Sequence, residues 1–377
     1  MKAVFLSFML LSALWIHAQN SGSDQKFKES FTNLKLQKYP IANFPDNSMP
    51  VSDIKIVQFL NDSIRMGYTY KGENAYVTTI RVAKPLTAFL QELIYRMYKH
   101  DFKKTGIKML WVLKDFRLAQ KAGEKISYRY TKLQADAYVS REGALYNKAF
   151  TIDTVILSSF GFDYASLYSS DFESIFSILS KRTLLVADSV FARSFNPITI
   201  DQIIKSNELD EMPPILKDNF YIDGIYTDFN QFLQNRPTIE KYSLLEIPKN
   251  SLKFIDSISN VEVDSTKIWG ICKKGVIYKY DDGSLIPIER QGRGFIISDF
   301  VASTNKYNAI ISANIKSRQM PVVYFAPISS FAINPSIFLR KRKYNEPLLM
   351  KEVPGIIEKS MLPLAFGINM RTGIFSF

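Results

Sequence analysis

Residues 107–157 read IKMLWVLKDFRLAQKAGEKISYRYTKLQADAYVSREGALYNKAFTIDTVIL. Three long apolar-rich runs, Ile107–Leu118, Ser127–Val139 and Leu145–Leu157, are separated by short stretches containing Gly123 and Gly143. The pattern predicts three strands joined by tight connections, since neighbouring antiparallel strands need only a short turn and glycine supplies its positive backbone angle.

The flanks of this stretch read as helices. Upstream, Leu86, Phe89, Leu90, Leu93 and Met97 form one stripe at helical spacing. Pro85 suits the first turn, Gly106 suits the end, and Lys103 and Lys104 complement the dipole there. His100 also falls near this end, where a cation is favoured. Downstream, Ser170 and Glu173 make a capping box ahead of Phe172, Ile175, Phe176 and Leu179, and Lys181-Arg182 closes that helix. Before the first helix, Ile54, Ile56, Phe59 and Leu60 precede Asn61-Asp62-Ser63, and Ile64, Met66, Tyr68 and Tyr70 follow it, the signature of a β-hairpin. Tyr76–Val82 adds a third strand.

Residues 52–195 thus read β-β-β-α-β-β-β-α, an α/β sandwich with two helices packed on one antiparallel sheet. In this element order, residues 52–190 resemble the small α/β domains of envelope-assembly and ABC-transport auxiliary proteins of Gram-negative bacteria. The resemblance implies a periplasmic auxiliary role in outer-membrane transport. Those relatives carry an anchoring cysteine that this chain lacks.

Residues 196–377 read as mostly β, so the chain as a whole is α+β. Strand-like runs at Lys267–Cys272, Val276–Tyr280, Leu285–Glu289, Gly294–Phe300 and Ala309–Ile315 are separated by turns, and Asp281-Asp282-Gly283 is the clearest hairpin signal. Thr227–Asn235 reads as a brief helix stopped before Pro237. The segments Asp223–Phe229 with Pro237, and Ile268-Trp269-Gly270 through Ile277-Tyr278 to Gly292-Arg293, resemble those of uncharacterised exported bacterial proteins. Leu362, Leu364, Phe366, Ile368 and Met370 alternate, as a closing strand of this second domain would.

At the other end, Met1–Ala18 reads as an export signal: Lys2 is the positive head, Val4–Trp15 is apolar, and Ala18 is a small-residue cleavage position. Residues 19–51 read as a polar tether carrying Pro40, Pro45 and Pro50. The expected location is periplasmic or secreted. The chain has one cysteine, Cys272, far from the signal, so no lipid anchor and no intramolecular disulfide are expected. No second stretch approaches the roughly 18 apolar residues of a spanning helix. The nearest, Pro321–Leu339, is interrupted by prolines.

Composition removes several chemistries. Once the signal is gone, His100 is the remaining histidine, so neither a two-histidine zinc site nor a free choice of histidine base is available. Gly270–Gly275 has phosphate-loop spacing but places Val276 where lysine is required, and Ser303–Lys306 lacks the further elements of a serine acylase. No cofactor and no metal site are expected. The 48 Lys and Arg against 36 Asp and Glu, a formal charge of +12, point instead to anionic surfaces. For an exported chain these are an envelope protein or an anionic glycan such as lipopolysaccharide, not nucleic acid.

Candidate binding residues are Trp269 and Tyr278 as aromatic platforms, with Arg290, Arg293 and the cluster Arg340, Lys341, Arg342 and Lys343 as cations. The leading expectation is a non-enzymatic exported envelope protein that binds a protein or glycan partner. The alternative is a carboxylate-dependent polysaccharide hydrolase, which would need two of Asp223, Asp228, Glu262, Asp264 and Glu289 to converge beside Trp269.

Overall fold

The computed structural model describes residues 30–308, 348–350 and 361–377, apart from short stretches at 35, 37–38, 47, 61–63, 72–75, 122–126, 161–167, 194–195, 209–211, 248–250 and 306. The signal segment, Gly123, the expected strand Ala309–Ile315 and the cluster Arg340–Lys343 lie outside the described residues. In chain order the first half contains β1 (Phe31–Asn33), β2 (Val51–Gln58), β3 (Gly67–Lys71), β4 (Tyr76–Arg81), α1 (Leu86–Tyr98), β5 (Ile107–Lys121), β6 (Ser127–Ser140), β7 (Leu145–Phe160) and α2 (Tyr168–Ala192). Across the midpoint follow β8 (Ile198–Thr199), α3 (Ile200–Asn207) and α4 (Pro214–Lys217).

The three long strands form as the sequence predicts, β5 with β6 and β6 with β7 in antiparallel register. The rest of the sheet corrects the expectation of a purely antiparallel layer. Its eight strands run β1-β4-β3-β5-β6-β7-β8, with β2 also on β5, and the β1–β4, β2–β5 and β3–β5 pairings are parallel. The expected hairpin at 54–70 does not close. β2 lies along residues 107–113 of β5, and Gly67 of β3 meets Leu118 farther up the same strand. The two strands therefore share one edge of β5 end to end. Gly67 is required at that junction: its φ is +128°, and a Cβ would collide with the backbone of Leu118. The tether expectation is corrected over residues 31–50 as well, where β1 adds to the sheet and Leu34 and Ala42 enter the core.

One face of this sheet is covered by both helices. α1 contributes Phe89, Leu90 and Leu93, and α2 contributes Phe172, Phe176 and Leu179, against Trp111, Phe116, Leu133 and Ala135. Trp111 stacks on Phe176 at 5.9 Å. A register shift between Leu113 and Asp115 sets which β5 residues face the helices. Met109, Trp111 and Leu113 precede it on the apolar face and Phe116 and Leu118 follow it, so the charges of Lys114, Asp115 and Arg117 are kept off the helical core. α1 ends at Tyr98 rather than at Gly106, leaving His100, Lys103 and Lys104 beyond it. α2 continues well past Lys181-Arg182, because Thr183, Leu184, Ala187 and Val190 extend its buried stripe. It also begins at Tyr168, so Ser170 lies inside the first turn.

The second half continues with β9 (Gly224–Tyr226), α5 (Phe229–Leu233), β10 (Tyr242–Ile247), β11 (Ser251–Asp256), β12 (Glu262–Val263), β13 (Gly270–Lys273), β14 (Val276–Asp281), β15 (Ser284–Gln291), β16 (Gly294–Ile297), β17 (Gly367–Ile368) and β18 (Phe375–Ser376). Seven strands form one sheet, β18-β17-β16-β15-β14-β13-β9, and β10-β11-β12 form a smaller one. The β14–β15 turn has Asp282 at φ 44° and Gly283 at φ 72°, the paired positive angles of a tight hairpin turn. The C-terminal segment closes the larger sheet through β17 and β18.

The second half also covers the other face of the first sheet. Tyr68, Tyr70, Ala119 and Tyr130 share an apolar cluster with Ile286, Phe300, Leu364, Phe366 and Phe377. β8 pairs with β7, and Ile203 of α3 packs on Leu110, Val112 and Tyr138, so the first layer extends beyond residue 195. Hydrogen bonds stitch this junction. The Asn305 side chain accepts from the Val77 amide and donates to the Val77 carbonyl at 2.9 Å. The Tyr68 hydroxyl accepts from the Leu364 amide at 2.6 Å and donates to the Leu364 carbonyl at 3.1 Å. Tyr68→Phe strands a buried amide and a buried carbonyl, and should lower unfolding free energy by about 1–3 kcal/mol in urea titration; no change would show that the junction contributes nothing to stability.

Candidate functional site

Where the outer face of the first sheet meets the second half, the two leave a cleft of about 720 Å³. One wall is β5 and β6, presenting Lys114, Asp115, Arg117 and Gln134. The other wall comes from α4, β15, β16 and the C-terminal segment, and carries Lys217, Gln291, Arg293, Asn369 and Arg371. Met212, Leu233 and Met370 supply partly buried apolar surface. Among the described residues, five cations and one carboxylate line the space.

The two walls differ in charge balance. On the sheet wall, Asp115 lies 2.9 Å from Lys132 Nζ and 3.4 Å from Arg117 Nε. Arg117 also donates to the carbonyl of Arg65. Behind them Asp136, almost wholly buried, binds Lys114 at 2.6 Å and Lys148 at 3.0 Å, and accepts from the Thr151 hydroxyl at 2.6 Å. On the opposite wall, Lys217, Arg293 and Arg371 make no ion pair with any described residue.

Burial alone would raise the Asp136 carboxyl, but Lys114, Thr151 and Lys148 outweigh it and hold the group below its usual range. A depressed carboxylate stabilises the fold above its unfolded pKa, near 4, and loses that contribution as pH falls through the folded value. Denaturation midpoints measured from neutral pH downward should therefore fall more steeply in the natural protein than in Asp136→Asn below about pH 4. Parallel curves would remove Asp136 as a source of acid sensitivity.

Of the binding residues expected from sequence, Arg293 lines the cleft, and Arg290 is exposed on β15 outside it. Trp269 is corrected from a platform to a core residue. It is 8% exposed, stacks on Phe232 at 4.2 Å and donates Nε1 to the carbonyl of Gly373 at 2.9 Å. Tyr278 is likewise buried, packed with Phe254 and Ile271 between the two smaller sheets. The sequence did not reveal Lys217, Arg371 or the sheet-wall charges. Nothing local links residue 217 to residue 371.

The five acidic candidates serve separate local roles. Asp223 accepts from the Lys274 amide at 2.9 Å and the Gly275 amide at 3.1 Å, closing the β13–β14 turn. Asp228 caps α5 through the Gln231 amide. Glu262 pairs with Lys253 in the small sheet, and Asp264 caps a turn through Thr266. Glu289 is exposed on β15 opposite Ile296. None of them lines the cleft. Cys272 is buried, and burial followed by the neighbouring Asp223 pushes its thiol up to about 12, which leaves it protonated and unreactive.

Among the described residues, no helix is long and apolar enough to cross a membrane. No family model matches the chain. No curated protein matches it. Among solved structures, the crystal structure of a Xanthomonas campestris protein of the DUF330 family aligns with 44% of this chain and 100% of its own, at 13% identity and a TM-score of 0.31.

Proposed function

We propose that this chain is a non-enzymatic exported protein of the bacterial envelope, and that it binds an anionic glycan or protein partner in the cleft between its two halves. The observation that carries the reading is the wall on which Lys217, Arg293 and Arg371, without an ion pair to any described residue, face a space also lined by polar and apolar side chains. Such a mixture of a few charged groups with amide and apolar surface is typical of a ligand site. The hydrolase alternative draws no support from the acidic candidates, which are tied to separate turns and strands. The test is to present a panel of anionic and neutral envelope glycans to the purified protein, reading both binding and turnover. Saturable binding of anionic members without cleavage is expected; cleavage abolished by a single acidic substitution in a folded variant would replace this reading with the hydrolase.

A periplasmic auxiliary to outer-membrane transport is a second reading. It draws on the outer edge of β7, where among the described residues β8 pairs with Leu145 and Tyr146 alone and Leu157 is 37% exposed. An edge of this kind can accept a strand from a partner.

A further inference from the structure

The cleft combines three features: a wall whose cations make no ion pair with any described residue, two guanidinium groups among those cations, and neutral amides beside them. Resting on the reading that the cleft binds an anion, we infer that its ligand is a phosphate ester, seated by Arg293, Arg371 and Lys217. Three positive charges facing a partly enclosed space are poorly balanced by one carboxylate. A phosphate monoester brings a charge of about −1.5 to −2 near neutral pH, with three acceptor oxygens. Guanidinium groups offer paired N–H donors in a fixed fork that matches two phosphate oxygens, and Lys217 adds a point charge. Gln291 offers a donor and an acceptor at the same wall, and Asn369 offers its amide donors while its Oδ1 accepts from the Arg371 amide at 2.9 Å, a set that suits sugar or glycerol hydroxyls. Met212, Leu233 and Met370 can lie against the carbon face of the ligand.

The sheet wall has the opposite character. Asp115 and Asp136 already engage Lys114, Arg117, Lys132 and Lys148. Those cations would have to leave existing partners to take an anion. The phosphate is therefore placed against the second half, with the remainder of the ligand directed toward Asp115 and Gln134. The phosphate could belong to a phosphorylated sugar, a phosphatidate headgroup or free inorganic phosphate, each of which keeps a second ionisation near neutral pH.

Calorimetry on the purified protein at low ionic strength separates them, using inorganic phosphate, glucose 1-phosphate, glucuronate, glucose and phosphatidate-containing vesicles as probes. Glucose 1-phosphate should bind and glucose should not. Arg293→Gln and Arg371→Gln should each weaken that binding about tenfold, the scale of a lost charged hydrogen bond. Arg182→Gln removes the same charge from an exposed site on α2 away from the cleft and should leave it unchanged. Thermal melts and circular dichroism establish that each variant is folded.

Acidity adds a readout that a carboxylate ligand would not give. Among the described residues, the charged groups lining the cleft are Lys114, Asp115, Arg117, Lys217, Arg293 and Arg371, with no histidine among them. The second ionisation of the phosphate lies near pH 6, so affinity should fall as pH drops from about 7.5 to about 5.5. Vesicle binding that the two arginine variants abolish would support the same seat with a headgroup as the source, and inorganic phosphate binding as tightly as the ester would support free phosphate. Glucuronate binding as tightly as glucose 1-phosphate at both pH values would overturn the phosphate assignment while leaving an anion-binding cleft. Unchanged binding in both arginine variants would remove the ligand from this cleft. If no phosphate probe binds while another anionic glycan does, the inference fails and the broader binding function survives.

Discussion

Asp171→Ala should destabilise the protein by about 3–5 kcal/mol, the usual cost of leaving one member of a buried ion pair alone. Asp171 sits in the first turn of α2, and its partner Arg129 projects from β6 beneath that turn. Their side chains are 2% and 4% exposed. Arg129 Nη2 donates to Oδ1 at 3.3 Å, Nε lies 2.9 Å from Oδ2, and the Ser158 hydroxyl donates to Oδ1 at 2.6 Å. Removing the carboxylate leaves a guanidinium in a water-poor layer next to the ring of Tyr168, 5.6 Å away. Denaturant unfolding, followed by the far-ultraviolet helix signal, measures the loss. The double variant Arg129→Met with Asp171→Leu should recover much of it, because no buried charge remains to be solvated. If the single and double variants lose equal stability, the cost comes from packing and the ion-pair explanation fails.

Trp269→Ala should cost about 3–5 kcal/mol in the same measurement, as expected for truncating a packed aromatic core residue. Trp269 follows the turn before β13, and its indole is sandwiched among Phe232, Phe229 and Lys279, at 4.2 Å, 5.4 Å and 5.0 Å. Gly373 completes the enclosure: its φ is +70°, its carbonyl accepts the indole proton, and a side chain there would strike Phe229. Trp269→Phe should lose less, retaining ring packing but stranding the Gly373 carbonyl. The functional consequence is specific. Any fall in ligand binding by these variants should track the fraction unfolded, whereas Arg293→Gln should weaken binding with stability intact. A stable Trp269→Ala protein that has lost glycan binding would restore the indole as a contact surface.

The same residue shows where sequence legibility ends. An aromatic in Ile268-Trp269-Gly270 reads more often as a core strand residue than as a sugar platform, but local alternation states only that one side faces inward. Which side is inward depends on Phe232 and Gly373, remote in the chain. The hairpin expected at 54–70 failed for a related reason: period-two alternation identifies strands but not their partners. Here β5 is long enough to accept β2 and β3 one after the other along a single edge. Elements with their own internal signal fared better. The stripes of α1 and α2 and the three long strands formed where predicted, with shifts at their ends.

The sequence by itself determined the α+β class, the order of the central elements and the two helices that cover one face of the first sheet, because 3.6- and 2-residue periodicities are written locally. It also determined an excess of positive charge and a scarcity of histidine and cysteine. Only the tertiary structure decided that the second half packs on the opposite sheet face, that Trp269 is core, and that Arg293 faces a cleft with Lys217 and Arg371. Those outcomes depend on which distant surfaces meet. The register shift between Leu113 and Asp115 turns Asp115 and Arg117 to the outer side beside Lys114, and the C-terminal segment, far away in sequence, supplies the wall they face.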